Sequence, residues 1–444
     1  MSKADMIFTG GSVLTVDPDH PDASAVAVTG DRITAVGGPE VLDARGPDTE
    51  VIDLDGGCLM PGFVEAHTHP TQEQMLYSDA VVDIRPVTTC PTAEQAHATI
   101  LRTLADAPAG KPVIFYGLDL LLQNGFPEPT RAWLDELGRD RPIVIWQNSG
   151  HLAYANSVAL HNAGLDGDTP DPVGGSFERD AHGVLTGRVW EAPAVLAVVA
   201  PILLDELGTP ELLARQQADL ASRGVTLCSD MAFSDQMRPV TAELYRQGRA
   251  KVRMRVYEMS TADGITYCPL DNGDDMFRQI GIKVWLDGSP WIGNIDTSFP
   301  YLNTAATAAL GLGHDHRGHA NYTPEQLLSI VRAYYPPGWQ MACHVHGDLG
   351  VDTVLDVYEQ VLTTYPRPDH RLRLEHCGAM TTEQFRRAAR LGVTCSLFVD
   401  HLYHWGDVLV DDLFGAEHGA HWVRTKSAVD SGMPISFHKC QNPR

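Results

Sequence analysis

The most informative segment of the chain is Cys58-Leu59-Met60-Pro61-Gly62-Phe63-Val64-Glu65-Ala66-His67-Thr68-His69. Its apolar residues lead directly into polar ones, as a short buried strand of a parallel barrel does at its C-terminal end. Side chains alternate in direction along a strand, so His67 and His69 point to the same side. Two imidazoles on one side of a strand end can bind one divalent metal ion.

Further short apolar runs downstream have the same form, and most end in a polar residue. They are Val225–Ser229, Val252–Tyr257, Ile282–Leu286, Met341–Val345, Leu372–Leu374, Val393–Leu397 and Pro434–Phe437. Helical patterns lie between most of them, for example Pro324–Tyr335, Val351–Thr364 and Thr382–Leu391. Because strand and helix alternate and the strands number eight, the sequence predicts the α/β class and a (β/α)8 TIM barrel.

Two additions to the barrel are expected. Residues 1–57 contain short β-rich runs separated by turns, including a hairpin at Gly30-Asp31, and they predict a small β-sandwich part. Residues 58–70 hold barrel strand 1, and residues 223–438 hold the rest of the barrel. Residues 71–222 are too many for one strand-to-helix connection, so we interpret them as an insertion domain.

The charge composition narrows the class of molecule that the protein can bind. The chain has 33 Lys and Arg residues against 57 Asp and Glu residues, a formal net charge of −24. Such a surface repels phosphate backbones and anionic lipids, which argues against nucleic-acid and membrane partners. The charge says little about the substrate, which we expect to be a small molecule, because a metal site sets its own local potential. Eight cysteines without a C-x-x-C pair, and an N-terminus without an apolar signal core, favour a cytoplasmic protein. A homodimer is the default assembly.

Several blocks of sequence together resemble one family. The segment ending in His67-Thr68-His69 is similar to the first-strand motif of amidohydrolases. Later blocks resemble amidohydrolase family 3, which includes the N-substituted formamide deformylases. These blocks are Pro129-Thr130-Arg131, Ser149-Gly150-His151, Asn156-Ser157, Gly224-Val225-Thr226, Lys283 through Gly288, His344 through Asp348, and Arg373 through His376. The resemblance implies a metal-dependent hydrolase of amide-type C–N bonds other than peptide bonds.

The resemblance also implies a ligand set for one or two divalent metals, with zinc expected. The ligands are His67, His69, Lys283, His344 and His376. Lys283 matches a lysine that is carboxylated in many members and bridges two metals. Its alternative is a lysine whose stem carries the charge to the rim, or one paired with Asp287. For the histidines the alternative is a structural role, because an H-x-H motif alone is weak and also occurs at His314-Asp315-His316 and His344-Val345-His346.

Three further residues are candidates outside that set. His151, in the insertion, is a candidate catalytic residue that the resemblance carries to the mouth of the barrel, and a structural hydrogen-bonding role is its alternative. Glu191 and Asp348 are acidic candidates. We expect Asp348 to cap the helix that starts near Val351.

The C-terminal end departs from the family pattern. The eighth strand of the superfamily ends in an aspartate that binds metal and transfers a proton, and Cys440 occupies that position here. Residues 439–444 form an atypical tail, and we expect the last barrel helix and the C-terminal strands of the small β unit to be missing. Two alternatives follow: a catalytically impaired chain that only binds metal or ligand, and a deaminase on the same scaffold.

Overall fold

The protein, as a computed structural model, divides by its internal packing into two units. The smaller unit comprises Met1–Val64 and Gly224–Thr226, and the larger one comprises Glu65–Arg223 and Leu227–Arg444. The structure describes residues 3–172, 174–260 and 273–438. Cys440 and the tail at 439–444 lie outside these residues.

The smaller unit is all β apart from one short 3-10 helix. Its strands are β1 (Met6–Thr9), β2 (Ser12–Leu14), β3 (Asp22–Ala23), β4 (Ala25–Thr29), β5 (Arg32–Gly37), β6 (Glu50–Asp53) and β7 (Cys58–Leu59). They form one sheet in the order β5-β4-β1-β6 and another in the order β3-β2-β7. The predicted hairpin is confirmed, since β4 and β5 pair antiparallel around Gly30, whose φ of +59° suits glycine. Ile7, Ala25 and Ala27 fill the small core.

The larger unit starts within β8 (Phe63–Thr68) and continues into a separate sheet. The strands of that sheet are β9 (Val81–Asp83), β10 (Val113–Leu118), β11 (Ile143–Gln147), β12 (Leu152–Ala155), β13 (Ser176–Arg179) and β14 (Leu185–Trp190), in the order β13-β14-β12-β11-β10-β9. Its helices are α1 (Pro70–Glu73), α2 (Ala93–Asp106), α3 (Arg131–Leu137), α4 (Ser157–Asn162), α5 (Glu191–Leu207) and α6 (Glu211–Ser222).

The remaining strands complete an eight-stranded sheet with β8 at one end. They are β15 (Val225–Phe233), β16 (Arg253–Met259), β17 (Phe277–Trp285), β18 (Gln340–Val345), β19 (Arg373–His376), β20 (Thr394–Phe398) and β21 (Ile435–His438). Neighbours follow chain order, and the strands from β15 to β21 pair parallel. Each strand overlaps a predicted apolar run, so the predicted barrel is confirmed.

Helices alternate with these strands along most of the barrel. They are α7 (Arg238–Arg246), α8 (Ala305–Ala309), α9 (Pro324–Tyr334), α10 (Asp348–Thr364), α11 (Thr382–Leu391), α12 (Asp400–Val408), α13 (Gly415–His418) and α14 (Thr425–Asp430). Local sequence explains where α9 begins, because Thr323 and Gln326 form a reciprocal capping box and Pro324 occupies the first turn. Among the described helices no single one is both long and apolar enough to cross a membrane; one bent pair, α5 with α6, meets the criteria of length and composition.

One expected cap is wrong. Asp348 is the first residue of α10, and its side chain makes no capping hydrogen bond. Its carboxylate instead accepts hydrogen bonds from the Ser298 backbone N–H (2.8 Å) and hydroxyl (2.5 Å). A loop distant in sequence therefore competes successfully for this carboxylate, and helix-capping rules based on local sequence do not detect such a partner.

Candidate metal centre

Four buried histidines lie at or near the C-terminal ends of barrel strands. They are His67 on β8, His344 on β18, His376 on β19 and His438 on β21, each at most 4% exposed. Ring centroids are 4.4 Å apart for His67 and His438, 4.6 Å for His67 and His376, and 4.5 Å for His344 and His376. The stacked rings of His67 and His438 bring the two terminal strands of the sheet together.

The first candidate metal group consists of His67, His376 and His438, whose nitrogen atoms lie within 4.8 Å of one another. His67 Nδ1 is 2.6 Å from Glu375 Oε2, and His67 Nε2 is buried with no hydrogen-bond partner among the described residues. A metal-binding histidine characteristically gives its second N–H to a carboxylate, which orients its ring. The orphaned Nε2 lone pair therefore fits a bound cation.

His438 connects the first group to the strand beside it. His438 Nδ1 lies 2.8 Å from Ser396 Oγ, and His438 Nε2 lies 3.0 Å from His376 Nδ1. All three side chains are buried. Every imidazole of the first group thus has at least one nitrogen fixed by a specific neighbour.

The second candidate metal group consists of His344, His346 and His376. His344 Nε2 donates to the carbonyl oxygen of Gly288 at 2.7 Å, which leaves its Nδ1 for a ligand. The His346 ring stacks on His376 at 4.9 Å, and within the described chain its Nδ1 has no hydrogen-bond partner. The two groups share His376.

The surroundings keep these rings neutral. Burial, followed by the positive charge of Lys283, lowers the pKa of His69 to about 3. Burial, followed by neighbouring His151 and Lys283, lowers the pKa of His346 to about 3. The pKa values of His67, His344 and His376 are also well below the usual range, chiefly through burial. A neutral imidazole is the form that binds metal, so the donor set suits a divalent cation at neutral pH.

Lys283 and His69 lie beside the two groups. Lys283, on β17, is fully buried, so the alternative of a lysine reaching to the rim is wrong. Its Nζ lies 4.7 Å from the centre of the Trp285 ring. The His69 ring centroid is 5.1 Å from that of His67. The His69 ring therefore lies next to the first candidate metal group.

Two buried carboxylates support the histidines. Glu375 bonds Arg373, whose Nη2 lies 3.0 Å from Oε2, and the same oxygen contacts His67. Asp287 accepts hydrogen bonds from the backbone N–H groups of His346 (2.9 Å) and Gly347 (2.7 Å), which fixes the turn after β18. Burial raises the pKa of Asp287 to about 8.

His69, His344, His346 and His376 line a cavity whose walls are mostly apolar. Tyr116 and Trp146 line it from the sheet inserted after β8, Trp291 lines it from the loop after β17, and Phe398 lines it from the end of β20. Arg85 also lines the cavity, and its guanidinium is engaged by Asp83. The site therefore combines a nitrogen-rich floor with an apolar wall, as small-molecule sites commonly do.

His151 lies between β11 and β12, on the wall of this cavity. Its Nδ1 is 2.6 Å from Glu191 Oε2, and its ring centroid is 5.3 Å from that of His344. The structure thus brings this sequence-predicted residue to the histidine cluster. Of the other H-x-H histidines, His314 pairs with Asp315 on the surface and His316 bonds the carbonyl oxygen of Gly293.

Sequence reasoning missed three residues of the cluster: His438, His346 and Glu375. The sequence did contain a signal for His346, because this residue completes an H-x-H motif with His344. His438 directly follows the last apolar run. Glu375 has no local signal for its contact with His67, because 308 positions separate the two residues.

Comparisons with known proteins agree with this architecture. The profile of the amidohydrolase family matches residues 50–439. The chain is 28% identical to the N-substituted formamide deformylase of Arthrobacter pascens, over 98% of this chain and 81% of the relative. It is 26% identical to the putative amidohydrolase YtcJ of Bacillus subtilis, over 90% and 74% respectively. An uncharacterised metal-dependent hydrolase from Pyrococcus horikoshii shares the fold, with a TM-score of 0.70 at 22% identity, over 98% of this chain and 82% of that one.

Proposed function

The chain belongs to the amidohydrolase family and is an enzyme, and we propose that it hydrolyses a non-peptide, amide-type C–N bond with the help of a divalent metal. The observation that carries the proposal is His67, with Nδ1 bonded to Glu375 and a buried Nε2 left for a cation beside His376. The deformylase relative, which by its name acts on N-substituted formamides, supports the choice of bond.

We further propose that His67, His344 and His376 are metal ligands, since the resemblance and the two candidate groups both contain them. The groups share His376, an arrangement that suits two neighbouring cations. His69 and Lys283 complete the set that the resemblance implies. Carboxylation of Lys283 by CO2 would replace a buried ammonium, which is costly in an apolar interior, with an anionic oxygen ligand. Zinc is the expected metal, because it favours histidine nitrogen ligands.

In this proposal the metal supplies Lewis acidity and lowers the pKa of water toward about 7. The residues of the chain do the rest. Glu375 holds the His67 ring in one orientation, and Asp287 fixes the loop that carries His346. Tyr116, Trp146 and the other apolar walls exclude bulk water and hold the apolar part of a small substrate. Residues 71–222, as an insertion domain, supply Tyr116, Trp146 and His151.

The test is an assay of metal-dependent hydrolysis with a panel of N-formyl and N-acetyl amines. Esters and aromatic amidines are assayed in parallel. Chelation should abolish amide cleavage, and a stoichiometric divalent metal should restore it. His67→Ala and His376→Ala should remain inactive, whereas the exposed His161→Ala should behave as wild type. Metal binding without turnover would favour the catalytically impaired alternative, and ammonia release from amidines alone would favour the deaminase.

A further inference from the structure

We propose that Glu191 and Asn294 lock His151 in the tautomer with hydrogen on Nδ1, so that its Nε2 accepts a hydrogen bond from the N–H of the substrate amide. The enzyme would then select amides that carry an N–H over tertiary amides and esters of the same shape. This inference rests on the proposed amide hydrolysis and adds the feature of the substrate that the site recognises.

The contacts of Glu191 fix the hydrogen on His151. Its Oε2 lies 2.6 Å from His151 Nδ1, and its Oε1 accepts a hydrogen bond from Asn294 Nδ2 at 2.5 Å. The carboxylate of Glu191 already accepts from Asn294 through Oε1, so we assign its Oε2 the acceptor role as well, which places the hydrogen on His151 Nδ1. In a neutral imidazole the other nitrogen, Nε2, then presents a lone pair.

The backbone holds this pair rigidly. The Glu191 N–H donates to the His151 carbonyl oxygen at 2.6 Å, which ties the two residues together a second time. Glu191 has a φ of +67°, a left-handed conformation that is strained for a residue other than glycine. Such strain is found where the surrounding structure holds a functional side chain in place.

The loop after β17 joins this pair to the metal centre. A Cβ on Gly288 would lie 2.7 Å from Glu191 Oε1, so only glycine permits this approach. The Gly288 carbonyl oxygen accepts the hydrogen bond from His344 Nε2, and its N–H donates to the carbonyl oxygen of Asn294. One loop therefore sets the position of His344 and the orientation of Glu191.

The His151 ring lies on the wall of the cavity, close to the proposed metal ligand His344. His151 lines the cavity 5.3 Å, between ring centroids, from His344, and its side chain is 13% exposed. The neighbouring Trp146 N–H is already bonded to the Gly150 carbonyl oxygen. In this largely apolar cavity, a substrate without an N–H would bury the His151 lone pair without a donor, and an unpaired buried polar group discriminates strongly between analogues.

Glu191→Gln should move the hydrogen of His151 from Nδ1 to Nε2, and not only weaken the preference for Nδ1. The Asn294 NH2 group requires an acceptor, so the new amide must turn its oxygen toward Asn294 and its NH2 toward His151 Nδ1. His151 Nδ1 would then accept and Nε2 would carry the hydrogen. The cavity would present a donor where the wild type presents an acceptor, which removes the preference for an N–H.

The test combines a direct reading of the tautomer with a ratio of rates. Long-range ¹H–¹⁵N correlation spectra of metal-loaded, ¹⁵N-histidine-labelled protein should show hydrogen on Nδ1 of His151 in the wild type and on Nε2 in Glu191→Gln, with His151→Gln identifying the signal. A secondary amide, its N-methyl derivative and the matching ester are then compared. The secondary amide to ester ratio of kcat/KM should fall about tenfold or more in Glu191→Gln. Intrinsic reactivity cancels between the two proteins.

Glu178→Gln is the matched control, because it removes a carboxylate from the neighbouring strand β13 that bonds Trp190 and Arg188. It should leave both the tautomer and the ratio unchanged. Hydrogen on Nε2 of His151 in the wild type, or an unchanged ratio despite a reversed tautomer, would overturn the inference. If the wild type cleaves none of the three compounds, the proposed function fails. The preference for an amide N–H is then measured as binding affinity, and equal affinity for the secondary and tertiary amides would overturn the inference.

Discussion

The two candidate metal groups share His376 but are supported in different ways. In the first, the carboxylate of Glu375 accepts a hydrogen bond from His67, and the hydroxyl of Ser396 is hydrogen-bonded to His438. In the second, His344 bonds a backbone carbonyl oxygen, and His346 is held by ring stacking and through its backbone. The first group is therefore oriented by side chains on other strands of the barrel, and the second by the loops that follow strands. We therefore expect the first group to tolerate substitution less than the second.

The largest effect should come from His376→Ala, because this residue belongs to both groups. We expect metal affinity to fall by more than about 100-fold, beyond the range for outer-shell partners. Metal content after dialysis against a competing chelator measures the loss, and the exposed His161→Ala serves as the control. Retention of a full equivalent of metal would show that neither group is the metal centre.

Glu375→Gln should have the next largest effect. It removes the charge that orients His67 and pairs with Arg373, and affinity should fall about 10–100-fold. A competition titration with a metallochromic chelator gives the affinity. Glu383→Gln, an exposed carboxylate on α11, should match the wild type, and equal affinities for all three proteins would contradict the importance of the first group.

Ser396→Ala should be milder, because it removes only the hydroxyl bonded to His438 Nδ1. The buried nitrogen loses its partner, which should lower the free energy of unfolding by about 1–3 kcal/mol. Urea denaturation of the metal-free protein measures this change. A variant as stable as the wild type would mean that His438 finds another partner and is not held by β20.

The smallest effect should be a change in pH dependence in His346→Gln. The pKa of His346 is about 3 in the folded protein and 6.5 when unfolded. Above pH 6.5 both states are neutral, and as the pH falls toward 3 only the unfolded state gains a proton, so folded stability is lost. As the pH falls, the free energy of unfolding of the variant should decrease less steeply than that of the wild type. The two slopes should differ by about 1.4 kcal/mol per pH unit. Unfolding of the metal-free proteins between pH 7.5 and 5 tests this, and parallel curves would contradict the neutral buried ring.

The barrel could be predicted because each of its strands is a short apolar run, most of them ending in a polar residue, and this pattern is local. His67, His344 and His376 became candidates because the family resemblance implies them as ligands, and each also lies at or near the end of such a run. Glu375 was missed because its contact with His67 depends on closure of the barrel. Asp348 was wrongly expected to cap α10 because Ser298, on a distant loop, supplies stronger partners.

The most direct test of the central claim is the position of the metal in crystals of the protein, located by anomalous diffraction at the absorption edge of the bound ion. We expect an anomalous peak for a metal ion bonded to His376 together with His67 or His344, and two peaks if both groups are filled. A metal bound away from His376, or crystals soaked in zinc that show no peak among the buried histidines, would contradict it.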